Sequence, residues 1–199
     1  MAESRTGINS MEIEVKVKLK SPSRLQSLLK SAGATFKGRA LEKNWLYDYP
    51  DRTLSRTDRL LRLREDRRVR LTFKGPRQES EYKEREEIEF EFPDISSASS
   101  LLHSIGFVKW FYYEKVRETW ELDRCEITID ELPELGLFAE IEGPSREEIA
   151  ATVKKLKLPR RYVAETYVEL LQEYSQRADT SGCDFRFVPR HVSVLESEG

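Results

Sequence analysis

Residues 11–19, MEIEVKVKL, alternate without exception between apolar and charged side chains. A period of two over nine residues specifies a strand. It sets Met11, Ile13, Val15, Val17 and Leu19 on one face and Glu12, Glu14, Lys16 and Lys18 on the other. The pattern recurs on about six segments. Leu61 and Leu63 alternate with Arg62 and Arg64; Leu71 and Phe73 with Arg70, Thr72 and Lys74; Ile88, Phe90 and Phe92 with Arg85, Glu87, Glu89 and Glu91. Lys115 and Arg117 flank Val116, Cys125, Ile127 and Ile129 alternate with Glu126, Thr128 and Asp130, and Glu140 and Glu142 flank Ile141. An antiparallel sheet with one wet face explains a single charged strand face. Both signs mixed on strand after strand call for a second arrangement, in which the sheet closes and the charged faces line an aqueous tunnel while the apolar faces meet helices. Glu12 and Glu14 would then stand about 7 Å apart along one wall. Such a lining is tolerable only while it stays wet and internally paired, because an unpaired buried ion costs several kcal/mol.

The remaining elements fit around that sheet. Ser23 is expected to cap a helix carrying Leu25, Leu28 and Leu29 that stops at Gly33. The aromatic stretch Trp45–Tyr49 reads as a strand ending at Pro50. Leu60–Arg64 and Val69–Lys74 form a hairpin, residues 75–83 a polar loop, and Arg85–Phe92 a strand. Asp94 opens a short helix closed by Gly106. The second half repeats the plan: β-rich 107–123, strands around Ile127 and Ile141, a helix with a Ser145–Glu148 capping box, and a last helix through Tyr167, Leu170, Leu171 and Tyr174. The order suggests two similar antiparallel halves, an α+β or closed-barrel arrangement with a charged interior and surrounding helices. Residues 1–10 are expected to be a flexible lead-in, 11–175 the tunnel domain and 176–199 a mobile tail.

Composition narrows the chemistry. Of 199 residues, 34 are Lys or Arg and 36 Asp or Glu, a net charge of −2 that excludes a generally basic, nucleic-acid-coating protein. No apolar run approaches ~20 residues and no secretory signal is visible, so the expectation is a cytoplasmic protein without a membrane partner. Two histidines and two cysteines leave little material for His-rich zinc sites or nucleophile–His triads. Cys125 reads as a packed thiol and His103 as a surface residue. Many Lys and Arg converging on one cavity favour a polyanion, with Arg giving bidentate contacts to phosphate oxygens. Carboxylates in the same cavity, with no His or Cys beside them, favour hard, oxygen-loving Mg²⁺ or Mn²⁺. The combination points to metal-assisted phosphoryl or nucleotidyl chemistry.

Glu12-Ile-Glu14-Val-Lys16 resembles the ExExK signature of the CYTH family, the triphosphate tunnel metalloenzymes. It keeps company with TDRLLRLRE at 57–65, LTFKGP at 71–76, REEIEFEF at 85–92, EKVRETW at 114–120 and ITIDELPELGLFAEIEGP at 127–144. The order and spacing fit over roughly residues 11–171, and TD-x-LLRLR, DELPELGLFAEIE and AETYVELL are most similar to the class IV adenylyl cyclase branch. The resemblance implies an eight-stranded tunnel with Glu12, Glu14, Asp130, Glu140 and Glu142 as metal-binding acids, two Mg²⁺ or Mn²⁺ ions, and Glu12, Glu14 and Lys16 at the catalytic centre. It implies phosphate contacts from Lys16, Lys18, Arg62, Arg64, Lys74, Lys115 and Arg117, with Glu87 and Glu89 as tunnel lining. The partner it implies is a small-molecule triphosphate (inorganic triphosphate, ATP or thiamine triphosphate), with a homodimer allowed and nucleic acid not expected.

Three readings of function remain. Hydrolysis holds the triphosphate on Lys and Arg and directs water to the terminal phosphorus; the breadth of triphosphatase activity in the family tilts the choice here. Cyclisation, the class IV adenylyl cyclase reaction, holds ATP while its 3′-hydroxyl attacks the α-phosphorus and expels pyrophosphate; it needs a nucleoside pocket as well. The third reading is a non-catalytic polyphosphate or RNA-binding module, supported by Arg62–Arg70 and the aromatic run Trp110–Tyr113. Barrel-wall packing explains those aromatics more simply, a solvated turn explains Arg67 and Arg68, and such a module gains nothing from acids in its groove. Tyr167 either plugs one tunnel mouth or packs its helix.

Overall fold

The computed structural model describes residues 8–78, 80–178 and 182–188, the side chains of 8–10 excepted. In chain order it forms β1 (Ile8–Lys18), α1 (Pro22–Ser31), β2 (Thr35–Asp48), α2 (Thr53–Arg56), β3 (Leu60–Glu65), β4 (Val69–Lys74), β5 (Lys83–Phe92) and α3 (Ile95–Ser104). Then follow β6 (Val108–Leu122), β7 (Cys125–Leu132), β8 (Gly136–Glu142), α4 (Arg146–Lys155), α5 (Tyr167–Arg177) and β9 (Asp184–Phe185). Neighbouring strands run β2-β3-β4-β5-β1-β8-β7-β6, and β6 pairs back onto β2. All eight of those pairings are antiparallel, so the ring is closed and leaves no free edge between them.

The apolar faces point outward, as the alternation requires. Val15, Val17, Ile127 and Ile141 pack against Leu25 and Leu29 of α1 and Ile149 and Val153 of α4. Leu61, Leu63 and Val69 pack against Ala98 and Leu102 of α3. A third cluster stops one end of the barrel: Leu46, Phe111, Leu132 and Phe138 meet Tyr167, Val168 and Leu171 of α5. Ile141 and Ile149 are wholly buried, and truncating either to Ala would cost about 2–5 kcal/mol. Gly143 lets β8 turn into α4, because a Cβ there would sit 2.8 Å from Cys125 Sγ and 3.0 Å from Ile149 Cγ1.

Several local expectations need correction. The α1 cap is Ser21, whose hydroxyl accepts from Ser23 N–H, with Pro22 opening the helix. β2 begins ten residues before Trp45, since its outer half pairs along β6 where no aromatic run announces it. Lys83 belongs to β5 rather than to a loop. Ser145 does cap α4, but the reciprocal capping box belongs to Thr166 and Glu169 of α5. The expected lead-in and tail lie mostly outside the described residues. Within them β1 starts at Ile8, α5 runs to Arg177, and Asp184–Phe185 pairs in parallel with Tyr112 and Tyr113. Phe185 is buried in the α5 cluster, which ties this short segment to the barrel.

Candidate active site

The barrel encloses a cavity of about 170 Å³ lined by alternate residues of its strands. Glu12, Glu14 and Lys16 of β1, Arg62 and Arg64 of β3, Lys74 of β4, Glu87 of β5, Lys115 and Arg117 of β6, and Glu140 and Glu142 of β8 all face it. Eleven charged side chains expected from the sequence are thereby brought together. The lumen is sided: β8, β1 and β5 supply most of the acids, while β3, β4 and β6 supply most of the bases. Register makes the acid wall dense, because Glu14 lies opposite Glu142 across β1–β8 and Glu142 opposite Glu126 across β7–β8.

Ion pairs bridge the walls. Lys74 Nζ lies 2.5 Å from Glu12 and 2.8 Å from Glu87, and Lys16 Nζ lies 3.3 Å from Glu140. Lys115 lies between Glu42 at 3.2 Å and Asp130 at 3.1 Å. Arg117 reaches Asp130 and Glu140, each at 2.5 Å. Burial opposes ionisation of Glu140, yet Lys16, Arg117 and Lys115 hold its carboxyl well below the usual range. Glu42 behaves alike: Lys115, Arg117 and Arg64 outweigh its burial and depress its pKa. Arg62 differs from its neighbours. Its Nε is buried with no hydrogen-bond partner, and it belongs to none of the ion pairs among the described residues.

Three expected residues stand elsewhere. Asp130 is 0% exposed and lies beneath the cavity wall. Its carboxylate accepts from Lys115 Nζ at 3.1 Å, Arg117 Nε at 2.7 Å and Tyr167 OH at 2.9 Å, and it does not line the cavity. Lys18 shares the face of Lys16 but lies beyond the lumen, where Nζ donates to Leu135 O and sits over the Phe138 ring. Glu89 accepts from Thr72 Oγ1 at 2.9 Å and lies 3.5 Å from Arg64, outside the cavity lining. Sequence reasoning missed Glu42, Lys83 and Arg77. Glu42 stands at period two from Asn44 and Leu46, a pattern visible once β2 is extended. Arg77 N–H donates to Asp58 at 2.7 Å and its guanidinium to Glu169 at 2.8 Å, tying the residues that follow β4 to α5. Tyr167 both plugs and packs: its OH bonds Asp130, and Lys16 Nζ lies 3.8 Å from its ring centre.

A closed antiparallel barrel whose lumen sets a carboxylate wall against a guanidinium and ammonium wall defines a class of protein built to hold anions and cations side by side. The CYTH domain family matches residues 10–169, and the chain belongs to it. The family is one of metalloenzymes, whose members are triphosphatases or adenylyl cyclases acting on triphosphates such as ATP. A protein of Methanocaldococcus jannaschii, provisionally named an adenylate cyclase, is 29% identical over 171 residues, covering 80% of this chain and 98% of its own. The PH1819 protein of Pyrococcus horikoshii superposes with a TM-score of 0.70 at 30% identity, over 82% of this chain and 99% of its own. HpAC1 of Hippeastrum, provisionally named an adenylyl cyclase, has the same fold at a TM-score of 0.63 and 20% identity, over 89% and 98%. Among the described residues no helix is long and apolar enough to cross a membrane.

The acid wall suits the divalent metal the family implies. Burial first, then Glu12 and Glu126, push the Glu142 carboxyl up to about 8. Burial, Glu140 and Glu12 raise Glu14 as well. Burial, then the neighbouring carboxylates, raises both groups, and oxygen donors crowded in this way have the chemistry that a hard cation takes. Among the described residues no three His, Cys, Asp or Glu groups already form a cation cage; Lys74 holds Glu12 against Glu87, and Lys83 lies 3.6 Å from Glu14.

A pH-dependent stability follows from Glu142. Its folded pKa lies above its unfolded value of 4.5, so the stability it contributes is complete below about 4.5 and is lost as pH rises through about 8. Lys83 has the opposite sign: burial, then Lys16, lower it to about 7, and its contribution is lost as pH falls through 7. The expected outcome is that Glu142→Gln removes a metal-free decline in melting temperature between pH 5 and 8.5. Saturating Mg²⁺ or Mn²⁺ should raise the wild-type melting temperature at pH 8 more than at pH 5. Thermal melts of both proteins, with and without metal, check this; an identical profile for the variant would remove Glu142 from the site.

Proposed function

We propose that this chain hydrolyses triphosphates, with Mg²⁺ or Mn²⁺ bound on the acid wall. The observation that carries the reading is Arg62, whose buried Nε has no hydrogen-bond partner and which forms no ion pair among the described residues, facing a cavity whose other bases are already arrayed for an anion. A buried donor left without a partner costs about 1–3 kcal/mol, which a phosphate oxygen would offset through a charge-assisted bond. Arg62, Arg64, Lys74, Lys115 and Arg117 take the phosphates, and Lys16 joins them from β1. Glu12, Glu14, Glu142 and Glu140 supply oxygen ligands for two ions, with Glu140 giving up part of its pairing to Lys16. A divalent cation bound there neutralises phosphate charge and makes water a stronger nucleophile. Asp130 and Glu42 fix the aim of Lys115 and Arg117, so these donors meet the substrate already oriented. Cytoplasmic placement, a homodimer and the lack of a nucleic-acid partner belong to this same reading.

The alternative is cyclisation of ATP, favoured by the name of the 29% identical Methanocaldococcus relative. HpAC1 is described as having a dominant triphosphatase activity, although it too is named a cyclase. Incubating the protein with ATP and with inorganic triphosphate, each with Mg²⁺ and with Mn²⁺, separates the readings. Orthophosphate from both substrates is expected. Cyclic AMP with pyrophosphate would select the cyclase, and no product from either would end both. Lys74→Ala is expected to raise KM for inorganic triphosphate by about tenfold or more, since Lys74 leaves Glu12 and Glu87 for phosphate. An unchanged KM would take Lys74 out of the substrate clamp.

A further inference from the structure

On the outside of the barrel, where β2, β6 and β7 pass beside α1, a groove of about 500 Å³ runs along the wall. Leu41, Val116, Ile129 and Leu137 floor it, and Phe36 stands further along β2. Of its acids, Glu118 already accepts from Gln26 Nε2 at 2.9 Å and from Trp120 Nε1 at 2.6 Å. Glu131 lies opposite Val116 across β6–β7. Arg39 and Arg67, both exposed, edge the groove, and they also edge a cavity of about 300 Å³ that adjoins the lumen at Arg64 and Arg117. The groove and this arginine-lined tunnel mouth meet at Gly38, Arg39 and Arg67.

One segment of the chain is aimed along this wall. β9 runs parallel to β6, pairing Asp184 with Tyr112 and Phe185 with Tyr113. Phe187 N–H then donates to Glu114 at 2.9 Å, and Val116 is the next residue of β6 on the face of Glu114. Val188 follows, exposed. Residues 189–199, PRHVSVLESEG, lie outside the described residues. Their order of chemistry matches the groove: Arg190 comes first, as Glu131 does, then Val192, Val194 and Leu195, then Glu196 and Glu198. The nine residues from Phe187 to Glu196 can span about 30 Å, whereas Glu114 to Glu118, which pairs with Arg39, is about 13 Å of strand.

We propose that residues 189–199 dock in this groove, with Val192, Val194 and Leu195 on its apolar floor and Glu196 and Glu198 against Arg39 and Arg67. Docking removes apolar surface from water on both partners. A tether that already leads to Val116 gives the segment an effective concentration on the order of millimolar, which a separate peptide or a second copy lacks. The docked carboxylates face the guanidinium groups that edge the tunnel mouth, so they compete with an incoming anion there. That competition rests on the hydrolytic reading above; the docking does not.

Two phenylalanines make matched reporters: Phe36 in the groove, 51% exposed, and Phe90 on β5 across the ring, 48% exposed. The whole chain of 199 residues would carry Cys183→Ser, which removes the exposed thiol, and Val194→Cys. Under mild oxidation, a disulfide with Phe36→Cys is expected to form about tenfold faster than one with Phe90→Cys, and within one chain. Non-reducing electrophoresis and mass spectrometry read the rates and the masses. Gln26→Cys, across the groove on α1, replaces Phe36→Cys if that variant does not fold. Equal rates at groove and control, or cross-links only between chains, overturn the docking. Steady-state kinetics with Mg²⁺ then test the competition: Glu196→Gln with Glu198→Gln is expected to lower KM for inorganic triphosphate about threefold at unchanged kcat. An unchanged KM overturns the competition and leaves the docking standing. A wild-type protein inactive on every triphosphate fails the hydrolytic reading, while the cross-linking still decides the groove.

Discussion

Glu12→Gln is expected to lower metal-dependent triphosphate turnover by about 10²- to 10³-fold while the protein still folds. The substitution keeps shape and removes only charge. Lys74, which now bonds Glu12 at 2.5 Å, retains Glu87 at 2.8 Å, so no ammonium is stranded in the barrel. The loss falls instead on the carboxylate wall, where Glu12 stands among the acids that press on Glu142. Phosphate release at increasing Mg²⁺ or Mn²⁺, beside a thermal melt, separates the outcomes. The activity should fall, the metal concentration for half-maximal rate should rise, and the melt should hold. Turnover intact with tighter anion binding would turn the protein into a binding module, because an acid that merely lines an anion groove repels its ligand.

Much of this architecture is legible because alternation is a local signal with a global consequence. Strands whose two faces differ so sharply close in one sense only, and Val15, Ile127 and Ile141 lie outward under helices while Glu14, Thr128 and Glu140 lie inward. What local reading does not contain is register. Glu14 faces Glu142 only because β1 pairs β8 at that offset, and that pairing makes a repulsive pair from two ordinary acids. Depth along the barrel is equally hidden. Asp130 continues the series Glu126 and Thr128, and Lys18 the series Glu14 and Lys16, yet each is carried past the cavity, Asp130 into an ion-pair network and Lys18 to the rim at Leu135. Lys83 escaped notice because GPRQESEYK reads as a loop, and only pairing with Glu14 draws its end into β5. The CDFRF segment alternates over only five residues, too few to specify a strand; its place is decided by the part of β6 that β7 leaves unpaired at Tyr112 and Tyr113.

Depth also gives Asp130 its own expected result: Asp130→Asn destabilises the protein by about 3–5 kcal/mol, a fall of roughly 10 °C in Tm for a domain of this size. The carboxylate holds Lys115 at 3.1 Å, both Nε and Nη2 of Arg117 at 2.7 and 2.5 Å, and the Tyr167 hydroxyl at 2.9 Å. Neutralising it leaves Lys115 with Glu42 alone and Arg117 with Glu140 and Glu42. Tyr167→Phe, which removes one donor and no charge, should cost only about 0.5–1.5 kcal/mol. The comparison also separates a positioning residue from a metal ligand. If Asp130 bound the ion, its asparagine variant would melt near wild type in metal-free buffer and regain activity at high Mg²⁺. If it orients Lys115 and Arg117, the melting temperature falls with or without metal, KM for inorganic triphosphate rises with the disordered clamp, and added metal restores neither.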